Sequence, residues 1–334
     1  MFFVTRINRR IFLMFLIAAC SFALLAPRDA HAADKKKITI GLVAKSQSNA
    51  VFQAAYAGAK DAAKELGDKY NADITIDWQT PTDEDAQKQA EAIDGLARGG
   101  AQGIAVSCTE ANTVTPAINR ATNAGVFVMC FDSDAPRSKR FCYYGTDDIT
   151  CGKAVTAELA KAMGDSGTIA VLAGNQSAPN LQSRVKGVRE ELKNHPNMKE
   201  LNDGQGVFYH VETPEDAARA VQTAQTTNPQ IQGWAMVGGW PLFTKNALKW
   251  EPGTVKCVSV DALPAMLPYL ESGHVQALYA QDCYGWGHKS VEILLEKIMN
   301  GKDPESQRII DPLTRVTKEN VKEFGKNWDK WLGK

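Results

Sequence analysis

Residues 103–134, GIAVSCTEANTVTPAINRATNAGVFVMCFDSD, decide how this chain folds. Two short apolar runs, 103–107 and 126–131, flank a longer mixed stretch. Neither run alternates polar with apolar, which marks strands buried on both faces of a parallel sheet. Parallel neighbours cannot be joined by a tight turn; they need a crossover of a dozen or more residues, usually a helix. The same unit recurs outward along the chain at 38–44 (ITIGLVA), 168–173 (TIAVLA), 233–237 (GWAMV), 255–260 (VKCVSV) and 275–280 (VQALYA). Between the runs, Ala86, Ala90, Ile93 and Ala97 keep helical spacing, as do Val291, Leu294, Leu295 and Ile298, so each segment offers one apolar stripe to a sheet. Alternating strands and helices predict an α/β fold of doubly wound parallel sheets with right-handed crossovers.

The strands are too many for one ordinary open sheet, and 334 residues exceed what a single core usually supports. Two lobes are expected. The pattern divides near 144–148 (YGTDD), beyond which a second run begins with a helix over 154–163. No low-complexity linker separates the halves, so the lobes are expected to be closely joined.

The first 32 residues are read apart. Arg6, Arg9 and Arg10 precede an uncharged, mostly apolar stretch from Ile11 to Ala26, followed by Pro27 and the small-residue pattern Ala30-His31-Ala32. This is the pattern of a secretory signal peptide cut after Ala32, which places the mature chain in the periplasm. A competing reading takes Ile17-Ala18-Ala19-Cys20 as a lipid-attachment site at Cys20. The apolar stretch is 16 residues, short of the ~20 that span a bilayer as a helix. Lys plus Arg and Asp plus Glu both number 38 in the full chain, but removal of residues 1–32 leaves 34 against 37. A slightly acidic exported chain without basic clusters is a poor nucleic-acid binder. Six cysteines remain, at 108, 130, 142, 151, 257 and 283, with no CxxC pair to suggest a redox motif or zinc ribbon. Their pairing stays open; Cys130 and Cys257, inside apolar runs, read as buried thiols.

In open parallel sheets ligands bind beyond the carboxyl ends of the strands. Those ends are polar or aromatic here. Lys45 and Asn49 follow the first strand, with Phe52 soon after; Ser107 ends the next run, and Asp132, Ser133 and Asp134 follow 126–131. In the second half Asn180, Gln182 and Arg184 follow 168–173, Trp240 follows 233–237, Asp261 follows 255–260 and Gln281 follows 275–280. Carboxylates, amides and cations together suit a polyhydroxylated guest, whose hydroxyls both donate and accept. Phe52 and Trp240 suit the apolar C–H face of a sugar ring. Lys45 and Arg184 would balance Asp132 and Asp261, which favours a neutral ligand. Trp250, Trp328 and Trp331 lack such polar company and read as packing residues.

With these segments in view, the chain resembles the ribose-type, sugar-binding family of periplasmic solute-binding proteins that serve ABC importers. The resemblance runs from Ile38 to about Val316 and rests on IGLVAKSQSNAVF near the start, CFDSDAP at 130–136, YYGTDD at 143–148, NLQSRVKGV at 180–188, VSVDALP at 258–264 and YAQDCYGWGHKSVE at 279–292. It implies a type I periplasmic-binding fold, with two lobes joined by a three-crossover hinge whose third crossover follows Ile310. The implied N-terminal lobe is 33–146 plus 282–311; the C-terminal lobe is 147–281 plus 312–334. The family's ligand-contacting positions fall on Lys45, Asn49, Phe52, Ser107, Asp132, Ser133, Gln182, Asp261 and Gln281. The ribose binders carry Arg where Ser133 and Gln182 stand, a small polar residue at Lys45, Asn at Gly238 and a second stacking Phe at Val51. Lys45 with the Asp-Ser-Asp motif is similar to the autoinducer-binding branch.

The expected function is capture of a neutral sugar or polyol by closure of two lobes, and its delivery by a monomer to a membrane ABC permease. No cofactor or metal is expected. A receptor presenting a sugar or autoinducer-like molecule to a membrane sensor would read the same closure. An enzyme is the remaining class: Asp132 and Asp261 could pose as a glycosidase pair. Against it, the chain has no GxSxG, HExxH or P-loop, and no GxGxxG after its first strand.

Overall fold

A computed structural model describes residues 1, 2 and 35–331; the proposed signal segment, the cut after Ala32 and the alternative at Cys20 lie outside the described residues. The strands are β1 (Lys36–Val43), β2 (Ala72–Trp78), β3 (Gly103–Val106), β4 (Phe127–Phe131), β5 (Cys142–Gly145), β6 (Gly167–Gly174), β7 (Met198–Glu200), β8 (Val207–Tyr209), β9 (Gly233–Met236), β10 (Lys256–Val260), β11 (Ala277–Ala280), β12 (Arg308–Ile310) and β13 (Thr314–Val316). The helices are α1 (Ala50–Tyr70), α2 (Ala86–Arg98), α3 (Ala111–Asn123), α4 (Asp148–Met163), α5 (Pro179–Leu192), α6 (Pro214–Thr227), α7 (Leu267–Ser272), α8 (Cys283–Asn300) and α9 (Val321–Trp331).

The strands form two sheets. One has the order β12-β5-β4-β3-β1-β2, the other β13-β11-β10-β9-β6-β7, with β8 also paired to β6. Each sheet is wound outward in both directions from its first strand, so β4 and β10 hold the same place in their sheets. The last strand is where they differ: β12 runs parallel to β5, while β13 runs antiparallel to β11. The chain therefore passes between the sheets three times, after β5, after β11 and between β12 and β13. These passages are tied together. Thr146 Oγ1 donates to Gln281 Oε1 at 3.1 Å, and the Asp311 N–H donates to the Gly145 carbonyl at 2.9 Å.

Each sheet is covered on both faces, which is why the deciding runs carry no polar alternation. In the first lobe one layer gathers Val43, Ile93, Leu96, Ile104, Val106, Ile118 and Val128, all buried. In the second, Val155, Leu159, Ile169, Val171, Val185 and Val258 do the same. On one flank of each sheet two helices meet at van der Waals distance because glycines remove the side chains between them. In the α1–α8 pair, a Cβ on Gly58 would collide with the Tyr284 carbonyl and one on Gly287 with the Ala55 carbonyl. In the α4–α5 pair, Gly152 lies against the Arg184 carbonyl and Gly187 against that of Ile149.

The C-terminal helix α9 is fastened by its tryptophans, as their contexts suggest. Trp328 Nε1 donates to the Ala262 carbonyl at 2.7 Å, and Trp331 stacks on Tyr284 with ring centroids 6.0 Å apart. The six described cysteines are all buried free thiols, Cys130 and Cys257 among them. Among the described residues no helix is long and apolar enough to cross a membrane.

Candidate functional site

The carboxyl ends of β1, β4, β6, β9 and β10 converge on one small cavity. Its wall includes Lys45, Asn49, Phe52, Asp132, Asn180, Arg184, Trp240, Asp261 and Gln281, all expected from strand-end position, together with Val51, Leu181, Glu212, Gly238 and Trp286. The free space is about 30 Å³, room for about one water, and far below the several hundred Å³ of an open ligand pocket. The lobes stand closed on the site.

The two aspartates occupy matching positions, each one residue past the fourth strand of its sheet. Both have left-handed backbones, with φ of 54° at Asp132 and 71° at Asp261, a conformation Asp tolerates better than most residues. Each is pinned from behind: the Asp132 N–H donates to the Tyr144 carbonyl at 3.1 Å, and that of Asp261 to the Tyr279 carbonyl at 2.8 Å. Asp132 Oδ2 accepts from Ser107 Oγ at 2.6 Å, while Asp261 accepts from Gln281 Nε2 at 2.9 Å and from the Gly239 N–H at 3.1 Å.

Across the cleft Lys45 Nζ donates to Asn180 Oδ1 at 3.2 Å, and Asn180 Nδ2 donates to Asp132 Oδ1 at 3.4 Å. Burial alone would push the Lys45 ammonium down, but Glu212, Asp132 and Glu84 more than offset it and hold it above its ordinary value. Arg184 is held by its own lobe through Asp148 at 2.9 Å, the Val237 carbonyl at 3.0 Å and Gln281 Oε1 at 2.7 Å. Burial pushes Asp148 up to about 7 and raises Asp261 as well; in both cases the Arg184 guanidinium opposes the rise.

The aromatic residues frame the polar ones. Trp240 opens a short 3-10 turn, with Pro241 at its second position, and its indole lies over Gly238 and Gly174, where a Cβ at either would strike the ring. Phe52 and Trp286 sit with ring centroids 6.1 Å apart. Behind the wall Gln89, fully buried, ties the ends of β1 and β3. Its Nε2 donates to the Ala44 and Ser107 carbonyls at 2.7 and 2.8 Å, and its Oε1 accepts from the Thr109 N–H at 2.9 Å.

Four expected site residues are not on the cavity wall. Ser107 lies behind Asp132 and supports it. Asp134 turns away to pair with Arg140, at 2.7 Å from Nη2. Ser133 is fully buried and Gln182 half-buried; Ser133 Oγ and Gln182 Nε2 face no partner among the described residues. The expected two-against-two charge balance also changes, because Asp148 joins Arg184 and Glu212 joins the wall. Glu212 went unseen because β8 is three residues long and half-exposed, too weak a pattern to mark a strand end. Trp286 was hidden by helical spacing that reads as ordinary packing.

The model of the periplasmic binding protein domain family matches residues 40–303. The chain belongs to this family. Among relatives of this periplasmic binding protein is the D-ribose/D-allose-binding protein of Pseudomonas aeruginosa, 23% identical over 312 residues, covering 90% of this chain and 94% of that one. The ribose import binding protein of Bacillus subtilis is 27% identical over 178 residues, 52% of this chain and 55% of that protein, so that match spans just over half its length. A solved ABC transporter solute-binding protein of Burkholderia graminis, in complex with D-arabinose, superposes with a TM-score of 0.78 at 25% identity, covering 86% of this chain and 98% of that one. Two lobes of parallel sheet joined by three crossovers are therefore the arrangement expected of a type I periplasmic binding protein.

Proposed function

We propose that this protein captures a neutral sugar or polyol in the periplasm by closing its lobes, and delivers it to a membrane ABC permease. One observation carries the reading: Asp132 and Asp261, at equivalent strand ends of the two sheets, face the same cavity beside Lys45, Asn180, Arg184, Phe52 and Trp240. Paired carboxylates accept hydroxyl protons, the amides and cations donate to ring and hydroxyl oxygens, and the aromatic rings cover C–H faces. The ribose, allose and arabinose named for its relatives support a guest of this chemistry. Ser107 supports the wall from behind, through Asp132.

The moving bodies are residues 33–146 plus 282–311 and residues 147–281 plus 312–334, exported by a signal cut after Ala32 and working as a monomer. Closure is driven by contacts that exist only in the closed state, Lys45 to Asn180 and Asn180 to Asp132 among them. The side chains bind and orient; no bond is made or broken. The test is isothermal titration against pentoses, hexoses, inositols and linear polyols. Saturable binding of at least one is expected, with no product formed from the corresponding glycosides. Binding of only a phosphate or an amino acid would overturn the reading.

A further inference from the structure

The cavity continues toward an acidic mouth. Glu212, three residues past β8, stands on the cavity wall and lines the adjoining mouth together with Glu84, which lies two residues before α2 in the opposite lobe. Asn175, just past β6, gathers both: its N–H donates to Glu212 Oε1 at 3.2 Å, and its side-chain Nδ2 donates to Glu84 Oε2 at 3.3 Å. Asn175 thus holds the two carboxyl groups side by side at the mouth, where the Glu212 charge bears on Glu84. Glu84 Oε1 is shielded from solvent with no donor facing it among the described residues. Two ionised carboxylates are acceptors only, so a bond between them needs one proton.

The surrounding charges do not supply a substitute. Lys45, just past β1, attracts Glu212, Asp132 and Glu84 together, but its ammonium donates its hydrogen bond to Asn180, and one cation does not neutralise three carboxylates. Asp83 and Asp85 on the Glu84 loop and Asp216 on α6 add negative charge. Arg184 is held by Asp148 and Gln281. His210, beside Glu212, is pushed below its ordinary 6.5 by burial and is neutral above that pH.

We propose that Glu84 and Glu212 share a single proton across the closed cleft, so that sugar capture takes up a proton. This rests on the sugar-binding reading above. In the closed form burial and the Glu212 charge push Glu84 up to about 8. Opening hydrates the cleft mouth and returns Glu84 toward the ordinary carboxylate value, about 4.3. A carboxyl raised in the closed state favours closure fully below its open-state value, and that advantage is lost as pH rises to about 8. Asp148, likewise raised, pairs with Arg184 inside one lobe, so closure leaves its proton where it was; Asp261, raised as well, takes its hydrogen bonds from Gln281 and Gly239 of its own lobe.

Titration of the exported chain with D-ribose, D-arabinose, xylitol and myo-inositol, in two buffers of different ionisation enthalpy at pH 7, counts the protons directly. Uptake approaching one proton per sugar is expected, with Kd rising by up to about tenfold per pH unit from 6.5 toward 8. Glu84→Gln supplies an amide that donates to Glu212 without titrating, so it should bind with a pH-independent Kd and no proton uptake. Asp148→Asn should keep the uptake. Sugar binding by the unsubstituted protein without proton uptake overturns the shared proton and leaves sugar binding standing. No heat with any of the four overturns both. The unsubstituted protein alone decides the matter if a variant fails to fold.

Discussion

At Asp132 and Asp261 the backbone and the charge are linked. Each residue must hold φ near +60° so that its carboxylate turns into the cleft, and each accepts hydrogen bonds that fix where its oxygens point. Removing either carboxylate leaves buried ligand hydroxyls without a charged acceptor. Asp132→Ala and Asp261→Ala should each weaken sugar binding at least tenfold, ~1.4 kcal/mol, in titration calorimetry. Unchanged affinity in both would mean that the ligand sits elsewhere. Backbone and charge separate in Asp132→Val, because a β-branched residue is poorly tolerated in the left-handed region. Relative to Asp132→Ala, it should lose a further ~1–3 kcal/mol of stability in urea unfolding. These two positions were legible in the sequence because a carboxylate directly after a buried parallel strand has a meaning independent of its neighbours. Asp134, two residues further on, carried the same chemistry but sits on the wrong side of the turn, where Arg140 claims it.

The close helix pairs set the platform on which the strand ends sit. Since the Gly287 position lies against the Ala55 carbonyl, any side chain there must push α8 away from α1 and carry Trp286 with it. Gly287→Val should lower stability by about 1–3 kcal/mol in thermal unfolding and weaken sugar binding as well. Gly95, inside α2 with nothing near its missing side chain, is the contrast. Gly95→Ala should leave binding intact and stabilise the protein by about 0.5–1 kcal/mol, by removing backbone freedom from a helix interior. A midpoint that moves the same way in both variants would show that helix separation is not the controlling quantity. At this scale the sequence was a good guide where strands are long or fully buried. The runs at 103–107, 126–131 and 168–173 differ by only a residue at each end from β3, β4 and β6. It missed β2, seven residues long but a half-exposed edge strand, and was silent on β5, β7, β8, β12 and β13, each three or four residues long, which owe their strand character to a neighbour's hydrogen bonds rather than to their own pattern.

For the molecule as a whole, a guest held among Lys45, Asn180 and Asp132 is walled in by both lobes, so capture requires the lobes to part and return. Small-angle scattering should therefore show a smaller radius of gyration with saturating sugar than without, and Lys45→Ala combined with Asn180→Ala, which removes bonds across the cleft, should diminish that contraction. An unchanged radius in the unsubstituted protein would rule out hinge closure. The sequence by itself determined the alternation of buried strands and helices, the need for two lobes and the strand-end residues from which a sugar site can be built. These follow from local periodicity and from the rule that parallel strands present their carboxyl ends to ligands. Only the tertiary structure decided which of those residues share a wall, that Ser107 and Gln89 stand behind it, and that Asn175 binds both Glu84 and Glu212. Which side chains face one another across a cleft depends on how two separately wound sheets are set against each other, a relation between residues more than a hundred positions apart that no local pattern encodes.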